Sequence, residues 1–311
     1  MKKGILLTNV GTPDQPTAKS VRQYLKEFLL DKRVVEIPKI FWYPILYGYI
    51  LPFRSHSSAA LYQTIWTEEG SPLKIYSQKI AKKLKEKTGL PVELGMHYGN
   101  PSILSSLEKL QHLDKIIFLP LFPQYCATTT AASFDIAAKT LNSWRNIPAI
   151  EFVNDYADNP DYINAIAHSI DQYWKTNNKP DHLLFSFHGI PKRFADLGDV
   201  YPKRCLLTAE LIAKQLNLSN DKWSIAFQSR IGRAKWLTPY TDIILKSLPK
   251  KNCKHVHVIC PGFSVDCLET LEEIAIRGKE QFLNAGGNEF HYIPALNETD
   301  AHINLLMKML T

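Results

Sequence analysis

The chain has 311 residues, 45% of them hydrophobic and 22% charged, with a formal net charge of +7 at pH 7. This length predicts about two domains, and the ordinary globular composition excludes a disordered or collagen-like chain. The sequence has a net positive charge but contains no zinc-finger spacing and no RNA-binding aromatic motif, so no nucleic acid partner is expected.

Cysteine usage and hydropathy indicate the compartment. The chain has five cysteines, no CxxC motif, and a first segment that begins a strand at once, which together predict a reducing cytoplasmic location. The longest uncharged run, Ile40–Phe53, has about 14 residues, whereas a membrane-spanning helix needs about 20. Pro44 and Pro52 also interrupt this run, so no transmembrane span is expected.

Apolar strand signals recur along the whole chain. They are Gly4–Val10, Val92–Tyr98, Lys115–Phe122, Ala149–Val153, His182–Phe187, Trp223–Gln228, His255–Cys260 and Glu289–Ile293. Helical patterns separate most of them, and such alternation predicts an α/β protein with mostly parallel sheets.

The strand signals form two similar sets of four. The third and fourth strands begin at residues 115 and 149 in the first half and at 255 and 289 in the second, a spacing of 34 in both. We therefore predict two duplicated Rossmann-like domains, residues 1–155 and 156–311, with a cleft between them and the last helix packing back on the first domain. The alternative is that the equal strand spacing in the two halves arises by chance, as it can in any α/β chain.

The first half carries a long insert between its first two strands. It contains an aromatic, proline-broken apolar segment at about residues 37–60. Such a segment can form a lip over a large flat apolar ligand or lean on a bilayer surface, and simple core packing is the alternative. Arg54, within this segment, could pair with a ligand carboxylate.

The usual nucleotide and hydrolase motifs are missing. The sequence contains no GxGxxG, no GxxxxGK[ST] and no GxSxG. Dinucleotide, nucleoside triphosphate and α/β-hydrolase sites are therefore not expected despite the fold.

A histidine ends the fifth strand signal. His188 follows the apolar run LLFSF and precedes Gly189 and Pro191. Ligands of α/β folds bind at the carboxyl ends of parallel strands, which makes His188 a candidate catalytic residue. The alternative is a histidine that caps the strand and bonds a nearby carbonyl.

An acidic segment follows the seventh strand. Asp266, Glu269 and Glu273 are predicted to share one helix face, with Glu272 beside them. A carboxylate row next to an imidazole can hold a divalent metal or relay protons. Acidic residues are also common in a first helical turn because of the helix dipole, which is the alternative for Asp266 and Glu269.

Three weaker candidates lie elsewhere. Tyr125 and the hydroxyls of Thr128–Thr130 follow the third strand at a helix start, a natural anion or carboxylate site. Ser71 precedes another helix and gives a weak signal alone. His255 and His257 share one strand face, but a zinc pair is weak without a third ligand, and an exposed or edge face is the alternative.

Several long segments, in one order, resemble the ferrochelatase family, which inserts ferrous iron into protoporphyrin IX in the last step of haem synthesis. They are EEGSPL, LPLFPQYCATTT, FSFHGIPKRFADLGDVYPKRC, FQSRIGRAKWLTPYTD and CPGFSVDCLETLEEI. The similarity spans nearly the whole chain and looks like a Gram-negative bacterial member. It implies a lyase-class metal chelatase that takes Fe²⁺ and a porphyrin as substrates.

The resemblance also implies roles for single residues. It makes His188 and Glu269 catalytic and metal-binding, and Glu273, with Glu272 and Asp266, an acidic relay. The residues implied near the porphyrin or its propionates are Arg54, Ser71, Tyr125 and Trp236. The insert Ile37–Arg54 corresponds to the family's apolar lip, and this lip together with the positive charge of the chain predicts peripheral contact with the inner membrane.

The sequence departs from the family at three places. Cys267 stands where some members have a second histidine, and His97 where some eukaryotic members have arginine. Ala127 aligns with the internal cluster cysteine of animal members, and the chain lacks their C-terminal cysteine extension, so no cofactor and no [2Fe–2S] cluster are expected. The alternative functions are a chelatase for coproporphyrin III or cobalt and a non-catalytic porphyrin or haem carrier.

Overall fold

The computed structural model describes residues 2–232 and 234–310. They form two compact units: residues up to Phe122 with Cys126–Asn154 and the chain from Leu306 onward, and Pro123–Tyr125 with Asp155–Leu305. Each unit contains a four-stranded sheet in which every pairing is parallel. The predicted α/β fold class is confirmed.

The two sheets have the same strand order. The first runs β2-β1-β3-β4 and the second β6-β5-β7-β8, so the topology repeats as the strand spacing predicted. The strands are β1 Lys3–Gly11, β2 Val92–Tyr98, β3 Lys115–Pro120, β4 Ala149–Phe152, β5 His182–His188, β6 Trp223–Gln228, β7 His255–Ile259 and β8 Glu289–Ile293.

Helices connect the strands of each sheet. They are α1 Ala18–Leu30, α2 Lys39–Ile45, α3 Ser55–Ile65, α4 Pro72–Thr88, α5 Ile103–Leu110, α6 Ala132–Leu141, α7 Pro160–Asn177, α8 Lys192–Asp196, α9 Tyr201–Gln215, α10 Thr241–Ser247, α11 Leu268–Thr270, α12 Lys279–Asn284 and α13 Asp300–Lys308. Three segments are π-helical, Leu46–Arg54, Ala127–Ala131 and Leu271–Gly278, and Leu248–Lys251 is a 3₁₀ turn. Polar side chains cap the amino ends of two of these helices. The Thr17 side chain accepts a hydrogen bond from a backbone N–H of α1, and the Asn159 side chain accepts from backbone N–H groups of α7, whose first residue is Pro160.

Each sheet has its own apolar core. In the first unit, Leu6 and Phe118 of the sheet pack against Leu107 of α5. In the second unit, Val258 of β7 packs with Phe282 of α12. All five side chains are fully buried, and each contributes about 1.5–3 kcal/mol through removal of apolar surface from water.

The apolar insert of the first unit is exposed. It forms α2, the π-helical segment and α3, and the indole N–H of Trp42 fastens it to the Leu29 carbonyl at 2.7 Å. Ile40 is 78% exposed, Phe41 66%, Tyr49 67% and Phe53 66%, so core packing does not explain this segment. We call residues 37–53 the apolar lip. Among the described residues, no helix has both the length and the apolar character needed to cross a membrane.

Candidate active site

The imidazole of His188 lies at the carboxyl end of β5, in register with Gln228 at the end of β6. Its Nδ1 is 2.6 Å from the carbonyl oxygen of Gly189. Because a carbonyl only accepts, Nδ1 carries the proton, and Nε2 of the neutral ring keeps its lone pair. The capping bond and the catalytic role are therefore compatible, since the cap fixes the tautomer that a base or a metal ligand requires.

Two aromatic side chains lie beside His188. The hydroxyl of Tyr201 donates to its backbone carbonyl at 3.0 Å, and the ring of Phe263 lies 6.4 Å from the imidazole, centroid to centroid. The imidazole itself is half-buried. The ring is thus supported on one side and still reachable by a ligand.

Gly189 permits a close approach beside His188. A Cβ at this position would lie 2.9 Å from the carbonyl oxygen of Gln228 and 3.3 Å from Cε3 of Trp236. Trp236 is held by its indole N–H, which donates to the Ile231 carbonyl at 2.9 Å. The predicted ligand-binding residue Trp236 therefore lies next to the strand end that carries His188.

Gln228 was not predicted from the sequence, although it connects His188's strand to the acidic segment. Its buried amide oxygen accepts from the Ser186 hydroxyl at 2.7 Å and from the Cys260 thiol at 3.4 Å. Its amide nitrogen donates to the main-chain carbonyl of Glu269 at 2.7 Å and lies 3.5 Å from a carboxylate oxygen of Glu273. The sequence signal that could have identified Gln228 is its position as a polar residue at the end of the strand Trp223–Gln228.

The carboxylate of Glu273 is fixed by the residue that follows β6. The backbone N–H of Ser229 donates to it at 2.8 Å, and the Ser229 hydroxyl donates to its other oxygen. Ser229 has φ +65°, a conformation unusual for a residue other than glycine and common where backbone strain serves a site. Both residues line a cavity of about 150 Å³.

Glu269 is half-buried on α11 and lies next to Cys267. Burial, and then the negative charge and hydrogen bond of Glu269, raise the pKa of the Cys267 thiol well above its ordinary value. Without a bound metal ion, this cysteine is therefore a neutral thiol.

The prediction of one acidic helix face is wrong for Asp266. Asp266 precedes the helix, is 3% exposed, and accepts bonds from Tyr292 at 2.6 Å, Asn297 at 2.7 Å and Thr270 at 2.9 Å. Its carboxylate is used to hold the segment before α11 in place. The helix could begin only after Cys267, whose φ of −149° is extended.

The π-helical segment Leu271–Gly278, which follows α11, also changes the predicted arrangement of the carboxylates. Glu272 is buried and pairs with Arg277, five residues on, at 2.8 Å. This spacing suits the wider turn of a π-helix. Gln228 therefore contacts the main chain of Glu269 and the carboxylate of Glu273, whereas the carboxylates of Asp266 and Glu272 are occupied by other bonds.

The remaining predicted ligand contacts are distributed over both units. Arg54 ends the π-helical segment of the first unit, and its burial lowers the pKa of the guanidinium. Ser71 is buried and its hydroxyl bonds the Thr12 hydroxyl at 2.8 Å, so a ligand that contacts Ser71 would bind a hydroxyl that is already hydrogen-bonded to Thr12. Tyr125, in the second unit, is half-buried, and its backbone N–H donates to Asp155 at 2.7 Å.

A buried histidine of the first unit has unused bonding capacity. His97 bonds the Ser133 hydroxyl through Nε2, while Nδ1 has no partner among residues 2–232 and 234–310. Burial lowers its pKa to about 3, so the ring is neutral at physiological pH. It cannot supply the positive charge of the arginine found in some eukaryotic members.

Comparisons with known proteins identify the group to which this architecture belongs. The ferrochelatase family model matches residues 2–311. The ferrochelatase of Vibrio parahaemolyticus is 51% identical over 310 residues, 99% of this chain and 97% of its own length, and that of Yersinia pestis is 50% identical over 312 residues, 99% and 98%. SirB from Bacillus subtilis, solved with Fe³⁺, shares the fold with a TM-score of 0.58 at 12% identity, over 99% of this chain and 95% of its own. The resemblance and the metal-chelatase class predicted from the sequence are confirmed, and the chain belongs to the ferrochelatase family.

Proposed function

We propose that His188 is the proton acceptor when this chain inserts Fe²⁺ into protoporphyrin IX, the haem-forming reaction of its family. In that reaction the porphyrin loses two pyrrole protons and gains the ion. The observation that carries the proposal is the 2.6 Å bond from Nδ1 to the Gly189 carbonyl. That bond leaves the Nε2 lone pair free to take a pyrrole proton or to ligate the arriving iron.

Glu269 and Glu273 provide the acidic partner of His188. Glu269 offers a half-buried carboxylate for iron or a proton, and Glu273 stands one helical turn further on. Ser229 holds Glu273 at the 150 Å³ cavity, where its carboxylate would receive protons that leave the reacting nitrogens. Asp266 and Glu272 then support this row without carrying protons.

Porphyrin binding uses a cation and aromatic surfaces. In the described part of the chain no carboxylate pairs with the partly buried guanidinium of Arg54, so it suits a propionate carboxylate. The indole of Trp236, beside Gly189, offers a flat apolar face for the macrocycle. Tyr125 and Ser71 supply further hydroxyls, the latter by sharing its bond to Thr12.

The apolar lip makes peripheral contact with the inner membrane in this proposal. Its exposed aromatic and aliphatic side chains would enter the headgroup region, where tyrosine is favoured because one end of its ring is wet. The exposed Lys39 next to Ile40 would add attraction to anionic lipid.

The test is haem formation from Fe²⁺ and protoporphyrin IX, with coproporphyrin III as the competing substrate. We expect turnover with protoporphyrin, a loss of about 10²–10⁴-fold in kcat for His188→Ala, and a comparable loss for Glu269→Gln. The matched control is His168→Ala, because His168 is an exposed histidine of α7. Full activity in folded His188→Ala would overturn the proposed proton acceptor, and a preference for coproporphyrin would overturn the substrate.

A further inference from the structure

Three histidines meet on the second sheet, away from His188. His255 and His257 point to one face of β7, and His291 of the neighbouring strand β8 lies in register with His257. One ring nitrogen from each lies within 4.8 Å of the others. The sequence lacked a third ligand for the His255–His257 pair, and the strand pairing supplies it.

The nitrogen atoms and a carboxylate are spaced for one ion. Nε2 of His255 and Nε2 of His257 are 2.9 Å apart. A carboxylate oxygen of Glu289 is 2.8 Å from Nε2 of His291 and 3.8 Å from Nε2 of His255. Imidazoles with one carboxylate are a ligand set that Zn²⁺ and related divalent transition metals accept.

We propose that His255, His257 and His291 form a binding site for one divalent transition-metal ion, with Glu289 as the fourth ligand. This site is distinct from the iron-insertion site. Glu289 and His255 begin their strands, whereas His188 ends β5, and all these strands are parallel. His188 therefore lies at the carboxyl end of its strand, whereas His255 and Glu289 lie at the amino ends of theirs.

Two side chains of α7 contact the histidines of the cluster. The Tyr173 hydroxyl is 3.2 Å from Nδ1 of His291, which can donate to it while Nε2 binds the ion. The Trp174 indole N–H donates to Nδ1 of His257 at 3.1 Å. Because an indole nitrogen only donates, Nδ1 of His257 accepts, and the proton of this neutral ring sits on Nε2.

Trp174 therefore opposes metal binding. In the metal-free state, Nε2–H of His257 donates to Nε2 of His255. When the ion enters, the proton of His257 moves from Nε2 to Nδ1, and the Trp174 indole loses its acceptor. The proton that Nε2 of His291 donates to Glu289 likewise moves to Nδ1 of that ring, beside the Tyr173 hydroxyl. Removing the indole N–H should consequently strengthen binding, whereas removing a ligand should weaken it.

The experiment measures Zn²⁺ bound to the full-length chain, without porphyrin, by equilibrium dialysis and metal analysis. We expect His188→Ala to keep the site and His255→Ala/His291→Ala to lose one Zn²⁺ per chain. His291→Gln should weaken Zn²⁺ binding at least about tenfold. This single variant replaces the double variant in the test if the double variant unfolds. Co²⁺ should give a visible d–d band that the double variant lacks.

Trp174→Phe tests the role of the indole, since it keeps an aromatic ring but removes the N–H donor. Zn²⁺ should bind this variant more tightly than the wild type. Equal Zn²⁺ content in the wild type and a folded His255→Ala/His291→Ala variant overturns the site. Unchanged or weaker binding in Trp174→Phe overturns His257 as a ligand.

Discussion

The amide nitrogen of Gln228 donates to the main-chain carbonyl of Glu269 at 2.7 Å. Gln228 is also the strand-register partner of His188, so one buried side chain joins the histidine's sheet edge to the acidic segment. The position of Glu269 therefore depends on an amide that takes no part in the chemistry.

Replacing Gln228 with leucine should impair both stability and turnover. The change removes the donor to the Glu269 carbonyl and leaves the Ser186 hydroxyl with the Thr241 hydroxyl as its remaining side-chain partner. Loss of the partner of a buried polar group costs about 1–3 kcal/mol. We expect a lower free energy of unfolding in urea and a reduced kcat for iron insertion. Gln63→Leu is the control, because Gln63 is exposed and makes one bond, to Pro16; equal losses in both variants would contradict the connecting role.

Gly189→Ala should disturb the site through its added Cβ. That atom would approach the Gln228 carbonyl oxygen to 2.9 Å, a main-chain atom that cannot yield cheaply. We expect a loss of stability of about 1–3 kcal/mol and a weaker porphyrin affinity as Trp236 is displaced. In Gly48→Ala the new Cβ meets nothing within 4 Å, so thermal unfolding should show no loss there; a tolerant Gly189→Ala variant would disprove the close approach.

Charged residues on the apolar lip should weaken vesicle binding. Ile40→Asp/Phe41→Asp removes two side chains that are 78% and 66% exposed and would enter the lipid. Each contributes up to about 1.5–3 kcal/mol when buried, so partitioning should fall at least about tenfold. Co-sedimentation with phosphatidylethanolamine–phosphatidylglycerol vesicles measures this, with Ile243→Asp, an exposed position of the second unit, as the control. Equal pelleting of both variants would argue against lip insertion.

His302 should make the fold sensitive to acid. Burial lowers its pKa from 6.5 to about 4, even though Nδ1 donates to the Asn297 carbonyl at 2.6 Å. Above pH 6.5 the ring is neutral in both states and adds no pH dependence. As the pH falls from about 6.5 to 4 the unfolded chain takes up the proton first, which costs the native state up to about 3 kcal/mol.

The free energy of unfolding, measured between pH 7 and 4, checks this sign. His302→Asn keeps a donor for the Asn297 carbonyl and should flatten the pH dependence, although the variant is less stable at pH 7. His168→Asn changes an exposed histidine and should leave the slope as it is. A slope unaffected by His302→Asn would show that other groups cause the acid sensitivity.

The sequence by itself determined the strands, because an apolar run bounded by turn residues is a local property. β2, β6 and β8 have the predicted bounds, and β3 ends at Pro120 instead of Phe122. The placement of His188 at a strand end followed from the same local pattern, and the family followed from long motifs in a fixed order.

Only the tertiary structure decided which polar groups meet. Gln228 reaches Glu269 across 41 positions of the chain, and His291 joins His257 through strand pairing, neither of which a local pattern encodes. Asp266 was misplaced because the periodicity of its segment does not reveal the extended Cys267 before α11. Local periodicity fixes secondary structure, whereas hydrogen bonds between distant segments fix the site, because they form only after the sheet has brought those segments together.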